Sequence, residues 1–328
     1  MKKIREVSIS VIIPAYNAEQ TLPACLSALE EQSVPRERYE ITVVNDGSTD
    51  HTEKCARGFS RVKVISQPNQ GPAAARNRGA QEAEGDILLF TDSDCLPDKN
   101  WIEEMIRPFD APEIVAVKGA YKTHQKEVVA RFAQIEFEER YRLQQKSRYI
   151  DFVDSYSAAI KREVFWKVGG FDPSFPVANN EDTDLSYRLA KQSYKMVFNP
   201  RAIVYHHHPP TLTKYLRTKL CRAYWRMVVY RRFPDKMVKD SYTPQSLKIQ
   251  IFLFLLIGLS LGLSLWVQEF LYLLSVEGLL FFLTTLPFTV RAFQKDRNVG
   301  LVAPFLLFLR SAAFGLGVIL SLFARRRT

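Results

Sequence analysis

The sequence predicts an α/β protein: a Rossmann-like, mostly parallel sheet with helices on both faces, followed by a C-terminal helical membrane region. Two observations carry this. Residues 1–200 alternate short apolar runs with helical patterns, the signature of successive β-α units. Residues 246–328 carry only Lys248, Arg291, Lys295, Arg297, Arg310 and Arg325 to Arg327 against Glu269, Glu277 and Asp296, and their apolar runs are of membrane length.

The predicted strands are Ser8–Ile13, Glu40–Asn45, Val62–Ser66, Asp86–Thr91 and Ala116–Ala120, with later ones near Asp151–Ser155 and Lys195–Phe198. The helices between them are Thr21–Gln32, Asp50–Phe59, Gly71–Ala83 and Trp101–Pro108. Three strands run directly into polar turns, at Pro14-Ala15-Tyr16-Asn17, Asn45-Asp46-Gly47-Ser48 and Thr91-Asp92-Ser93-Asp94. Ligands of open α/β sheets bind outside the carboxyl ends of the strands, so these turns are the first place to look.

Cys25, Cys55, Cys95 and Cys221 are scattered without C-x-x-C or metal-ligand spacing, which excludes a disulfide scaffold and suits a reducing, cytosolic catalytic portion. The formal charge is +10, and it is unevenly placed. Ten Lys or Arg face only Asp235 within residues 201–239, beside the predicted membrane region. A basic stretch there suits anionic lipid headgroups rather than nucleic acid. No signal peptide is expected, because the apolar run after Met1 to Arg5 ends at Pro14 as a buried strand would.

Residues 206–245 are expected to form a basic amphipathic, interfacial segment. Leu212, Leu216, Leu220, Ala223, Tyr224 and Met227 recur at helical spacing, with Lys219 and Arg226 snorkelling beside the stripe. Residues 249–267 and 270–290 read as a membrane hairpin, and the basic loop Arg291–Arg297 returns the chain to the cytosol, on the side of the N-terminal domain. Residues 301–323 form a third apolar segment. Arg310 near its middle and Arg325 to Arg327 at its end predict that it is tilted or broken, with Arg310 at headgroup level able to meet an acidic lipid or diphosphate-lipid acceptor. Gly258 and Gly262 offer a small-residue face for helix packing.

Two D-x-D triplets occur, Asp92-Ser93-Asp94 and Asp182-Thr183-Asp184. Paired carboxylates at a strand end suit a hard divalent cation that shares diphosphate oxygens, and equally a solvated helix-capping turn. The blocks from Val7 to Asn17, Val43 to Asp50, Gly71 to Asn77 and Thr91 to Asp94, continued by Gly169-Gly170-Phe171-Asp172 and Asn180 to Leu189, closely resemble the family 2 glycosyltransferases over about residues 7–208.

The resemblance implies a GT-A fold over residues 1–205, a UDP- or GDP-sugar donor, Mn²⁺ or Mg²⁺, and inversion at the anomeric carbon. It assigns Pro14, Ala15 and Tyr16 to the nucleoside, Asp46 to the base, and Arg76 to donor phosphates or to Asp46. Asp92 and Ser93 would line the donor site, with Asp92 on ribose or metal and Asp94 as principal metal ligand. Asp182 would be the catalytic base, with Glu181 and Gly170 as secondary candidates. Asn45 departs from the usual paired acids. Consecutive histidines on an extended chain point in alternate directions, so His206, His207 and His208 cannot share one ion; His206 is preferred as a metal ligand, His208 next.

The function expected is a glycosyltransferase of the cell (inner) membrane with a cytoplasmic catalytic domain. It would act on a hydroxyl of a lipid-linked or membrane-proximal acceptor in cell-envelope glycan or glycolipid synthesis. Transfer to polyprenyl phosphate and a catalytically silent scaffold are the alternatives. A processive synthase would need a Q-x-x-R-W block, and Tyr224-Trp225-Arg226 does not match it.

Overall fold

The computed structural model describes residues 8–175 and 179–323. The strands are β1 (Ile9–Ala15), β2 (Tyr39–Asp46), β3 (Val62–Gln67), β4 (Ile87–Thr91), β5 (Cys95–Pro97), β6 (Ile114–Lys122), β7 (Ser157–Lys161) and β8 (Lys195–His206). The helices are α1 (Leu22–Glu30), α2 (Thr52–Arg57), α3 (Pro72–Gln81), α4 (Trp101–Ile106), α5 (Val128–Gln144), α6 (Arg162–Lys167), α7 (Glu181–Lys191), α8 (Leu212–Arg232), α9 (Pro234–Val238), α10 (Gln245–Leu263), α11 (Phe270–Lys295) and α12 (Arg297–Leu322). They fall into two units, one containing residues up to His124 with Tyr141–His207, the other Gln125–Arg140 with the chain from His208 onward. Within the stretch 1–205 that the sequence reads as one domain, Gln125–Arg140 groups with the C-terminal helices.

In the first unit an eight-stranded sheet runs in the order β3-β2-β1-β4-β7-β6-β8-β5. β3, β2, β1 and β4 are parallel. The near-continuous apolar sequences of β2, β1 and β4 are buried as a sheet covered on both faces requires, while the edge strand β3, which mixes Lys63, Ser66 and Gln67 with its apolar residues, is only half-buried. β7 is antiparallel to β4 and β6, while β8 runs parallel to β6 and antiparallel to β5. α3 seats closely on β1 because it presents Ala73, Ala75 and Gly79. A Cβ at Gly79 would stand 2.5 Å from Ile12 Cγ2. Phe90, Phe165 and Phe171 close one end of the core, with ring centroids 5.2–5.5 Å apart, each pair contributing roughly 0.5–1.5 kcal/mol beyond area burial.

The strand predicted near Asp151–Ser155 lies instead at Ser157–Lys161. Residues 152–154 form a loop whose Val153 bonds through both N–H and C=O to Ser186 Oγ on α7. β5 and α5 have no counterpart in the sequence reading. β5 is too short to show a period, and α5 buries Gln134, Glu136, Arg140 and Gln144, which breaks the apolar stripe that would reveal it.

In the second unit α10, α11 and α12 are each long and apolar enough to cross a membrane. α12 is one continuous helix, N-capped by Asp296, whose carboxylate accepts the Val299 N–H at 3.1 Å. The segment is thus not broken. Arg310 is 7% exposed, and its guanidinium donates to Glu136 Oε1 on α5 at 2.8 Å and to Gln250 Oε1 on α10 at 2.5 Å. Arg325 to Arg327 lie outside the described residues.

Lys219 is also buried rather than snorkelling, 2.8 Å from Glu136 Oε2, which accepts the Tyr215 hydroxyl as well. The buried face of α8 therefore runs through Tyr215, Lys219 and Ala223, and Leu212, Leu216 and Leu220 are half-buried beside it. Burial pushes the Glu136 carboxyl up, but Lys219, Arg310 and Arg140 outweigh it and hold the group well below the usual carboxylate range. Gly317 of α12 receives α8 closely, since a Cβ there would meet Leu220 O at 2.4 Å. A Cβ at Gly258 or Gly262 would meet nothing within 4 Å, so no described helix packs closely on that face.

Candidate active site

β1, β2 and β4 are parallel, so Pro14-Ala15, Asp46 and Asp92 emerge at one edge of the sheet. The first two turns are tied together. Asn17, at φ 49°, donates its N–H to Ser48 Oγ at 3.0 Å and accepts the Thr49 N–H at 2.8 Å. Ala15 is buried, Pro14 half-buried, and the Tyr16 ring is 52% exposed at the mouth of the turn. Asn45 is buried; it accepts the Ser48 N–H and donates to Glu53, work an ionised carboxylate could not share between acceptor and donor roles.

Asp46 is 3% exposed, and its carboxylate accepts Gln67 Nε2 at 2.7 Å and the N–H groups of Gln70 and Gly71 at 2.9 Å. It holds the turn in which Gly71, at φ 87°, starts α3. Arg76, one and a half turns along α3, is 2% exposed. It reaches neither Asp46 nor solvent: one guanidinium nitrogen is 2.7 Å from Asp92 Oδ1 and the other 2.8 Å from Glu181 Oε1. Of the two partners the sequence offered Arg76, donor phosphates or Asp46, the second is not met: both forks hold other carboxylates, Asp92 and Glu181. Burial and the adjacent Asp182 raise the Glu181 carboxyl against the opposing pull of Arg76, to about 7.

Glu181 and Asp182 open α7 after Asn180, a residue in the left-handed region at φ 66°. Asn180 makes no side-chain cap to the helix backbone; its Oδ1 instead accepts the Thr183 hydroxyl at 3.2 Å. Asp182 is half-buried and accepts the Thr183 N–H at 2.7 Å. The Gly169-Gly170 turn, with both residues at positive φ, is pinned from two sides. Asn77 exchanges two hydrogen bonds with the Phe171 backbone, and Arg188 donates to Gly170 O at 2.7 Å and to Asp184. Gly170 thus serves backbone geometry.

Ser93 and Asp94 are half-buried. Three residues of β5 decide what Asp94 meets, because the Cys95↔His206 register brings the end of β8 alongside. His206 Nδ1 lies 3.6 Å from Asp94 Oδ1. Desolvation pushes Asp94 up, but His206 more than offsets it and leaves the carboxyl below its usual range. The His206 ring stacks on Tyr121 at 4.5 Å and 17°, and Tyr121 stacks in turn on Tyr156. The Tyr121 N–H is bonded to the Tyr141 hydroxyl at 2.7 Å. An oxygen, a nitrogen and the Cys95 sulfur lie within 4.8 Å of one another, a donor set that fits a divalent cation.

His208 does not join it. It is 2% exposed in the other unit, with Nε2 2.9 Å from Gln134 Oε1 and its ring stacked on Phe137, so it is no metal ligand here. Arg310 belongs to that unit too. Sequence reasoning does not single out Cys95, Tyr121, Asn77 or Arg188; the one available signal is that Asn77 and Arg188 lie inside the family-like motif blocks.

The chain matches the family described as Glycosyl transferase family 2 over residues 10–169. Probable glycosyltransferase YdaM of Bacillus subtilis is 30% identical over 254 residues, covering 73% of this chain and 59% of that protein. Glycosyltransferase AglE of Haloferax volcanii is 38% identical over 116 residues, 34% of this chain and 38% of that protein. This chain therefore spans less than two thirds of either relative. A mannosyltransferase, PcManGT from Pyrobaculum calidifontis, solved with GDP-Man and Mn²⁺, superposes with a TM-score of 0.64 at 18% identity, covering 97% of this chain and 87% of that one. With the sheet order and strand-end acids described above, residues 10–169 are similar to the family 2 glycosyl transferase domain, and the chain has a GT-A fold.

Proposed function

We propose that this protein is a membrane-anchored, metal-dependent, inverting glycosyltransferase that moves a sugar from a UDP- or GDP-sugar to a hydroxyl of a lipid-linked or membrane-proximal acceptor. The reading places it in cell-envelope glycan or glycolipid synthesis, with its catalytic unit on the cytoplasmic side of the inner membrane and residues 206–245 at the interface. The facing pair Asp94 and His206, set where the strand ends converge, is the observation that carries it. PcManGT, with a similar fold, was solved with GDP-Man and Mn²⁺.

Asp94 and His206 would hold Mn²⁺ or Mg²⁺, which supplies the counter-charge for a departing nucleoside diphosphate. Asp46 keeps the Gly71 turn in place behind the donor, and Tyr16 offers an exposed ring to the base. Arg76 orients Asp92 at the donor edge. Asp182 takes the proton of the acceptor hydroxyl as its oxygen bonds to the anomeric carbon and the bond from that carbon to the diphosphate oxygen breaks. A base is what a hydroxyl acceptor needs, whereas a lipid phosphate monoester is already nucleophilic near neutral pH.

The test is to incubate the purified full chain with UDP- and GDP-sugars, with and without Mn²⁺ or Mg²⁺, offering lipid-linked glycan or polyprenyl phosphate. Metal-dependent transfer to the glycan is expected. Transfer to polyprenyl phosphate that Asp182→Asn leaves unchanged would replace the hydroxyl reading, and no transfer with any donor would support a silent scaffold.

A further inference from the structure

Cys95 gives the metal site a donor that a hard cation does not use. Its Sγ lies 3.8 Å from Asp94 Oδ1 and 4.0 Å from His206 Nδ1, and the third side of the triangle, Asp94 to His206, is 3.6 Å. Tetrahedral zinc, with bonds of about 2.3 Å to sulfur and 2.0–2.2 Å to nitrogen and oxygen, needs ligand separations of roughly 3.3–3.6 Å. The triangle must shrink by only a few tenths of an ångström. Asp94 is free to supply that movement because its carboxylate is half-exposed, while Cys95 is fixed in β5 and His206 by its stack on Tyr121.

The donors also differ in kind. Mg²⁺ and Mn²⁺ favour oxygen, and a diphosphate completes their shell; thiolate selects Zn²⁺. Three protein ligands with a fourth position open is the arrangement of an accessible zinc site rather than a closed structural one.

We propose that Asp94, Cys95 and His206 form a thiophilic binding mode of the metal site, in which Zn²⁺ displaces the hard cation, bonds to the Cys95 sulfur and blocks sugar transfer. The metal–sulfur bond forms as the thiol proton passes to the buffer, with no change in oxidation state. Two anionic ligands neutralise the ion, so little net charge remains to attract the donor diphosphate. This inference rests on the assignment of Asp94 and His206 to the metal.

The experiment uses the full chain in detergent with Co²⁺ as the spectroscopic stand-in for Zn²⁺, and Mn²⁺ binding followed in parallel by paramagnetic resonance. Wild-type protein is expected to show a thiolate-to-Co²⁺ charge-transfer band in the near ultraviolet that Zn²⁺ abolishes. A variant combining Cys25→Ser, Cys55→Ser and Cys221→Ser, in which Cys95 is the one remaining thiol, keeps the band; Cys95→Ser loses it. Zn²⁺ affinity falls at least tenfold in Cys95→Ser while Mn²⁺ affinity moves less than threefold, which also shows that this variant folds. Mn²⁺ binding without a thiolate band in wild type or the single-thiol variant would overturn the proposal and leave the metal assignment standing. Failure of both Mn²⁺ and Co²⁺ to bind would overturn that assignment together with it.

Discussion

Arg76 and Asp92 form an ion pair of 2.7 Å in which the guanidinium is almost wholly buried and the carboxylate stands at the open edge of the sheet. The second fork of the same guanidinium holds Glu181, at the start of the helix that carries Asp182. One side chain on α3 therefore joins the end of β4 to the beginning of α7. No spacing rule connects these segments, which lie 16 and 105 residues from Arg76.

Arg76→Met is expected to destabilise the protein by about 3–5 kcal/mol, because it leaves a buried carboxylate without its counter-charge. Adding Glu181→Met should restore part of that loss, since a paired removal takes away the stranded charge. Thermal unfolding of both variants and of Glu181→Met alone completes the cycle, and strictly additive losses would refute the coupling.

Asp182→Asn should retain Mn²⁺ and nucleotide binding while transfer to a hydroxyl acceptor drops by about 10²–10⁴, the usual contribution of a positioned base. Asp94→Ala should instead lose Mn²⁺ binding. Single-turnover rates and metal titrations on the two proteins separate the roles, and loss of metal affinity in Asp182→Asn would reassign that residue.

Glu136→Gln should lower stability near neutral pH, since Lys219 and Arg310 would lose their shared carboxylate. Glu136 is held below its unfolded value, so its contribution is fully present above the ordinary glutamate range and is lost as pH falls through the depressed folded value. The Tm difference between wild type and variant should therefore be largest near pH 7 and shrink under acid. A pH-independent difference would point to lost hydrogen bonding rather than charge.

Gly79→Val should cost about 1–3 kcal/mol by overpacking, as the new side chain meets Ile12 on β1 and Val44 on β2. Gly170→Ala should also destabilise, through its φ of 64° and a Cβ 2.8 Å from Asn77 Oδ1. Denaturant midpoints measure both, and unchanged midpoints would show that these close approaches relax freely.

The sequence by itself determined the parallel half of the sheet, because β1, β2 and β4 are buried on both faces and their apolar runs end in polar turns at one edge. It also determined the three C-terminal apolar helices, whose length and composition need no partner to be legible. The tertiary structure alone decided which charges meet. Arg310 and Lys219 look like lipid-facing cations while α8 and α12 are considered singly, and become ligands of Glu136 only because α5, a helix without a clean apolar stripe, brings that carboxylate between them. The same holds for His206. Alternation along an extended strand separates three adjacent histidines into different directions, but only the pairing of the three-residue β5 with β8 sets His206 opposite Asp94. Local periodicity reports which face of an element avoids water; the partner across that face depends on register and packing between segments distant in sequence.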